Sequence, residues 1–223
     1  MGSIAENLRQ ITDTLPEGVE LVAVSKFHPA ERLREAYDAG QRVFGESRAA
    51  ELAQKAAALP DDICWHFIGH LQTNKVKAVV AVADVIDAVD STRLLLAIDR
   101  EACRIGRPVK VLLQAHVALE ETKFGFSPEE LEREITAELV NSLKMTTIVG
   151  LMGMASNVDD TERIAADFDC LRSLFHLLAA GPMAGRPEFQ TLSMGMSDDY
   201  QLAIEHGSNA VRIGTDIFGP REY

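Results

Sequence analysis

The sequence predicts an α/β barrel of eight parallel strands, with helices outside it and one extra helix ahead of the first strand. Three observations lead there. Short apolar runs alternate with longer amphipathic stretches along the whole chain, as in repeated βα units. Lys26, Glu46, His70, Asp90 with Ser91, His116, Met154, Ser193 and Thr215 fall at the C-terminal ends of those runs, and all but Met154 are polar. A doubly wound open sheet is the competing arrangement, but only closure brings eight strand ends round one mouth. Length is the third: 223 residues suit a single (β/α)8 TIM barrel, and no linker or change of composition divides residues 1–223, which read as one domain.

The strands are expected at Leu21–Ser25, Arg42–Gly45, Trp65–Gly69, Val85–Val89, Lys110–Ala115, Ile148–Gly153, Phe189–Met194 and Val211–Gly214. Helices are expected at Pro29–Ala39, Arg48–Leu59, Thr73–Val82, Thr92–Arg104, Pro128–Leu139, Asp160–Leu178 and Asp198–His206, with Ile4–Asp13 as the addition in front. Pro29 and Pro128 suit first helical turns, and Ser127 suits the N-cap before Pro128. Gly40, Gly106 and Gly207 suit helix stops, and Gly181–Pro187 reads as a loop. Ser197 reads as an N-cap with Asp198 and Asp199 in the first turn, a structural role for both aspartates.

Composition excludes several classes. Hydrophobic residues make up 47% and charged residues 25%, the balance of a globule with a sizeable core. A net charge of −12, from 22 basic and 34 acidic residues, argues against binding a nucleic-acid backbone. Cys64, Cys103 and Cys170 form no CxxC and cannot all pair, so reduced thiols are expected. The start MGSIAENLRQ lacks a basic-then-apolar signal, and no uncharged apolar run reaches membrane-spanning length. A cytoplasmic protein is the expectation. No GxGxxG, Walker loop or GxSxG elbow is present.

Two strand ends carry the chemistry. Alternation puts Val22, Val24 and Lys26 on one face of the first strand and Leu21, Ala23 and Ser25 on the other. If the first face looks inward, Lys26 is an amine on top of an apolar wall, where desolvation favours the neutral nucleophile. The plainer reading is a lysine reaching from a strand end to solvent. On the last strand Ala210, Arg212 and Gly214 share a face, while Val211 and Ile213 meet the helices. An inward arginine needs an anion or acceptors, Gly214 lets backbone approach a ligand, and Thr215 offers a hydroxyl. Phosphate held at the last loops is recurrent in such barrels. The competing role for Arg212 is a bridge to a carboxylate such as Asp90. An amine facing a phosphate cup suits a phosphorylated aldehyde. Ser193 is a further hydroxyl for the same phosphate. His66 and His70 have an HxxxH spacing, but on a strand that does not make a zinc site. His116 is placed near the mouth, Trp65 and GLMGM read as packing, and Lys123 reads as a loop-closing charge.

The segments LVAVSKFHP, RVFGESRAAE, WHFIGHLQTNK, DAVDS, EETKFGF, GLMGM, LSMGMSDDYQLAIEHGS and VRIGTDIFGPR together resemble the YggS/PROSC family, the pyridoxal phosphate homeostasis proteins. They span nearly the whole chain in that family's order. The resemblance implies a fold-type III barrel like the N-terminal domain of alanine racemase. It implies that Lys26 carries pyridoxal 5′-phosphate as a Schiff base, that Arg212 faces the pyridine nitrogen, and that Ser193, Gly214 and Thr215 hold the phosphate, with Met194 beside them. Ser47 stands where the family often has asparagine, and His116 where asparagine is common.

The same residues argue for a carrier. Pyridoxal phosphate delocalises a carbanion best when its ring nitrogen is protonated, and a permanent cation at Arg212 disfavours that state. Racemisation further needs a base on the opposite face, supplied in alanine racemase by a second domain of the partner subunit. The chain ends at FGPREY, soon after the last strand, and Tyr37, Tyr200 and Tyr223 fall in helical or terminal segments. The expected function is therefore reversible binding of pyridoxal phosphate without catalytic turnover, by a protein expected to be a monomer; delivery to apo-enzymes is what the family resemblance implies. The alternatives are a weak amino-acid racemase and a regulatory module that senses the cofactor.

Overall fold

Eight strands close on one another in chain order, and the last pairs with the first. The structure is a computed structural model in which residues 2–120 and 122–220 are described. The elements run α1 (Ile4–Thr12), β1 (Glu20–Val24), α2 (Ala30–Asp38), β2 (Val43–Glu46), α3 (Ala49–Ala58), β3 (Cys64–Phe67), a 3-10 turn (Thr73–Lys75), α4 (Val76–Val80), β4 (Val85–Val89) and α5 (Thr92–Ile105). They continue with β5 (Val109–Ala115), α6 (Pro128–Glu134), α7 (Ala137–Ser142), β6 (Thr146–Gly153), α8 (Thr161–Ala180), β7 (Thr191–Ser193), α9 (Tyr200–Glu205), β8 (Ala210–Ile213) and α10 (Thr215–Phe218). Every strand pair is parallel.

The expected helix stops and starts follow from backbone chemistry. Ser127 accepts the Glu130 amide, Glu130 returns to the Ser127 amide, and Pro128 occupies the first turn of α6. Gly106 ends α5 in the left-handed conformation, which glycine adopts without steric cost. Pro29 sits one place earlier than expected, as the N-cap of α2. The segment expected as one helix over Pro128–Leu139 is two, because Thr136 starts α7 by accepting the Leu139 amide. Thr73–Val82 is also divided, opening as a 3-10 turn. The helix expected from Asp198 starts at Tyr200. Ser197 is not its cap: Asp199 takes the N-cap position and spends its carboxylate on the Met196 amide. β7 is shorter than Phe189–Met194, because Phe189 turns back to bond Arg186.

Side-chain alternation sorts the core into two layers. Leu21, Ala23, Phe44, Trp65, Val211 and Ile213 point outward and pack with helix residues such as Leu33, Leu52 and Phe168. Inside the barrel lies a smaller apolar cluster of Val85, Ala88, Leu112, Val149 and Met152. Burying each large side chain stabilises by about 1.5–3 kcal/mol, so the outer layer is where the barrel gets most of its cohesion. At the closing seam Val22 pairs with Arg212 and Ala23 with Ile213. The additional helix α1 steadies the chain beyond that seam, since the Asn7 side chain donates to the Ile217 carbonyl in α10 at 3.0 Å.

The barrel interior also holds charge. His66 Nδ1 lies 2.9 Å from Asp87 Oδ1, and both side chains are buried. No group of three or more metal-capable side chains occurs among the described residues. Burial opposes a charge on His66, but Asp87, with help from Cys64, holds its pKa up at about 10. A raised folded value means that the pair's stabilisation is complete below the ordinary histidine value of 6.5 and is lost as pH rises through about 10. The urea midpoint of the protein should therefore fall between neutral pH and about pH 10. Asp87→Asn should flatten that fall, and an equally steep fall in the variant would remove the pair as its cause.

Candidate cofactor site

The ends of β1 and β8 meet at the barrel mouth. Because Leu21 and Ala23 belong to the outer layer, Val22 and Val24 point inward and the next residue of that face is Lys26. A cleft of about 280 Å³ opens there, lined by Lys26, Arg212, Gly214 and Thr215. Its volume is at the small end for a small-molecule site. Val24, Ile68, Met152 and Met154 form apolar walls, and Met196, Ser197 and Asp198 come from the loop before α9.

Lys26 is half-buried, and Phe27 beside it has φ of 69°. That left-handed conformation costs a non-glycine residue about 1–2 kcal/mol, so neighbours must impose it. Glu51 Oε2 accepts the Phe27 amide at 3.0 Å, and the Arg48 guanidinium lies 4.4 Å over the Phe27 ring. His28, which also lines the cleft, stacks on Phe218 of α10 with ring centroids 5.2 Å apart.

Arg212 is buried at the cleft and makes three hydrogen bonds to oxygens. Nη1 donates to the Ser193 carbonyl at 2.9 Å and to the Ser193 hydroxyl at 2.6 Å, and Nη2 donates to the Gly153 carbonyl at 2.9 Å. Burial pushes its pKa down from the ordinary arginine value, while the charges of Asp87 and Asp199 oppose that. The guanidinium stays cationic at neutral pH. Asp90, the carboxylate considered for it, instead pairs with His70 at 2.9 Å.

Four of the six expected site residues, Lys26, Arg212, Gly214 and Thr215, therefore share one cleft. Ser193 and Met194 lie beneath it, both almost wholly buried. Ser193 orients Arg212, and Met194 belongs to the outer core. Ser197, expected as a helix cap, lines the cleft instead. The signal for it was the loop itself: Gly195 has φ of 97° and packs its Cα side against Tyr200 and Ala203, which turns the following serine over the mouth. His28 was missed because nothing in its spacing separates it from a packing histidine.

Other expectations at the strand ends resolve differently. Glu46 ends β2, but its side chain faces the helix layer and bonds Lys55 of α3. His116 bonds the Glu120 carbonyl and Ser47 borders a separate groove, so neither is among the residues lining the cleft. Lys123 does close its loop, donating to the Ala155 carbonyl at 2.7 Å and pairing with Glu120 at 2.9 Å. A wider groove of about 670 Å³ lies on the other side of the Lys26 turn, lined by Phe27, Arg48, Glu51 and Lys55 among others. It contains neither Lys26 nor Arg212. The narrower cleft gathers an amine, a fixed guanidinium and the hydroxyls of Ser197 and Thr215, a donor set that suits a phosphorylated aldehyde.

Gly214 brings the two strand ends together. A Cβ there would stand 2.9 Å from the Val24 carbonyl oxygen and 3.2 Å from Val24 Cβ. Gly214→Ala should cost about 1–3 kcal/mol in urea unfolding as the seam opens. Unchanged stability would show that this close approach is not required.

The family described as "Alanine racemase, N-terminal domain" matches residues 1–222. The chain is 39% identical to the pyridoxal phosphate homeostasis protein of Vibrio alginolyticus, with all of both chains covered. It is 41% identical to that of Schizosaccharomyces pombe over 91% of this chain and 84% of the relative. The structure of PipY from Synechococcus elongatus with pyridoxal phosphate bound superposes with a TM-score of 0.88 at 39% identity, covering 97% of this chain and all of PipY. Alanine racemase of Clostridium difficile shares the fold at a TM-score of 0.78, with 16% identity over 99% of this chain and 57% of the racemase. The chain therefore belongs to the alanine racemase N-terminal domain family and, within it, to the pyridoxal phosphate homeostasis proteins of the YggS/PROSC type.

Proposed function

We propose that this protein binds pyridoxal 5′-phosphate at the barrel mouth, holds it covalently on Lys26 and serves cofactor homeostasis without turning over a substrate. The observation that carries this reading is the shared cleft of Lys26, Arg212, Gly214 and Thr215. The names of the relatives and the occupied PipY structure support it. When bound, the cofactor supplies an aldehyde that an amine can capture as an imine with loss of water.

The residues divide the work. Lys26 provides the amine at the top of the apolar wall of Val22 and Val24. Thr215, the Gly214 backbone and Ser197 are assigned to the phosphate end, with Ser193 and Met194 supporting from below. Arg212 is assigned to the ring nitrogen, where a cation locked by Ser193 and Gly153 would disfavour protonation and leave the ring a poor electron sink. A site built this way stores a reactive aldehyde and releases it by exchange. Delivery to apo-enzymes, a monomeric state and action in the cytoplasm complete the reading. The three free cysteines suit a reducing compartment.

Amino-acid racemisation is the second reading, and one observation favours it: His28 lines the cleft and offers a group able to exchange a proton. No tyrosine is among the described residues that line the cleft; Tyr37 bonds Asp62, the Tyr200 hydroxyl meets Thr14, and Tyr223 lies outside the described residues.

Two experiments test the assignment. Protein loaded with pyridoxal phosphate should show a visible absorption band that Lys26→Ala abolishes while far-ultraviolet dichroism stays unchanged; a band that survives refutes Lys26. Loaded protein incubated with L-alanine in deuterated water should leave the α-proton in place, and exchange that depends on Lys26 would establish the racemase reading.

A further inference from the structure

The turn that carries Lys26 is gripped from behind the sheet. Alternation sends Ser25 and Glu46 away from the barrel interior and toward α3. Lys55, buried on that helix, donates to the Ser25 carbonyl at 2.9 Å, to Glu46 Oε1 at 2.6 Å and to Glu51 Oε2 at 3.3 Å. The Ser25 hydroxyl donates to the same Glu46 oxygen at 2.6 Å. Glu51 Oε2 accepts the Phe27 amide at 3.0 Å. Both neighbours of Lys26 in the chain are thus tied to one cluster, Ser25 through its carbonyl and hydroxyl and Phe27 through its amide.

The cluster is a poor device for cohesion alone. Glu46 is fully buried, and its second oxygen has no partner. Burial pushes its carboxyl above the usual range, and Lys55 and Ser25 offset this only in part. Burial acts on Glu51 in the same direction, but the Phe27 amide, Lys55 and Arg48 together bring it below the ordinary value. Apolar residues of similar volume commonly hold a helix to a sheet at least as well as such ion pairs do. What the charges achieve and apolar packing does not is direction. They fix a carbonyl, a hydroxyl and an amide around a residue in the left-handed conformation.

We propose that Glu46, Glu51 and Lys55 are positioning residues that hold the Ser25–Phe27 turn and thereby aim the Lys26 amine into the cleft. The role rests on the reading of Lys26 as the cofactor's anchor. None of the three is placed on the cofactor. They act through the backbone on either side of the lysine, by setting how often its nitrogen stands where the aldehyde carbon will be.

Removing Lys55 would leave Glu46 as an unpaired buried charge and threaten the fold, so the informative change is at Glu51, which is partly exposed. Two measurements on the full-length apoprotein separate positioning from general damage. One is the rate of appearance of the visible band after mixing with pyridoxal 5′-phosphate. The other is the affinity for 4′-deoxypyridoxine 5′-phosphate, which has the ring and phosphate but no aldehyde. Glu51→Ala should slow the first roughly 10- to 100-fold, as expected when a reacting atom is misplaced, and leave the second unchanged. Glu51→Gln, which retains an acceptor for the Phe27 amide, should recover most of the rate. Equal loss of rate and analogue affinity in Glu51→Ala, or loss of neither, overturns the proposal. Absence of a borohydride-stable adduct on Lys26 in the wild type overturns the anchor reading as well, and it is seen before any variant is made.

Discussion

Pairing of the last strand with the first is the constraint on which the site depends. Lys26 and Arg212 are 186 residues apart in sequence, and no local structure brings them together. The register Val22 to Arg212 and Ala23 to Ile213 does so, because it sets the ends of β1 and β8 side by side with the same faces inward. A slip of one residue would turn the arginine into the helix layer and an isoleucine into the cleft. The outer core resists such a slip, since Leu21, Ala23, Val211 and Ile213 would all leave their apolar surroundings. The energy that fixes the chemistry is thus stored mostly outside the barrel, in contacts with no chemical role.

Polar groups inside such a structure have to be satisfied where they stand. Arg212 meets this demand with two carbonyls and a hydroxyl and so remains a fixed cation without a carboxylate bonded to it. A bonded carboxylate would cancel the charge that Arg212 brings to the cleft. His66 and Asp87 meet the demand as a pair deeper in the barrel. The two solutions differ in purpose: one leaves charge available at the mouth, and the other closes it off.

Much of this was legible in the sequence, because period-two alternation in short strands reports facing directly. The inward assignment of Val22, Val24, Lys26, Arg212 and Gly214 needed only that rule, and all the strands fall within a few residues of expectation. What was not legible depends on loops and on packing between elements. The sequence points to Ser193 as the hydroxyl near the mouth and to Ser197 as a helix cap, but Ser197 is the one that lines the cleft. Their roles part because β7 ends at Ser193 and the chain then bends at Gly195. The start of α9 moved because Asp199 bonds the Met196 amide, a choice that propensity does not record. Glu46 looked like a residue of the mouth because it ends a strand, but parity along β2 places it behind the sheet. Its partner Lys55 could be matched to it only once α3 was docked. The acceptors of Arg212 are mainly backbone carbonyls, which have no signature in composition.

The two sides of the Lys26 turn answer to different parts of the chain. The residues that line the cleft come from β1, β6, β8 and the segments after β3 and β7, whereas groups that grip the turn come from the end of β2 and from α3. Substitutions in α3 can therefore shift the Ser25–Phe27 turn while every side chain that lines the cleft stays the same.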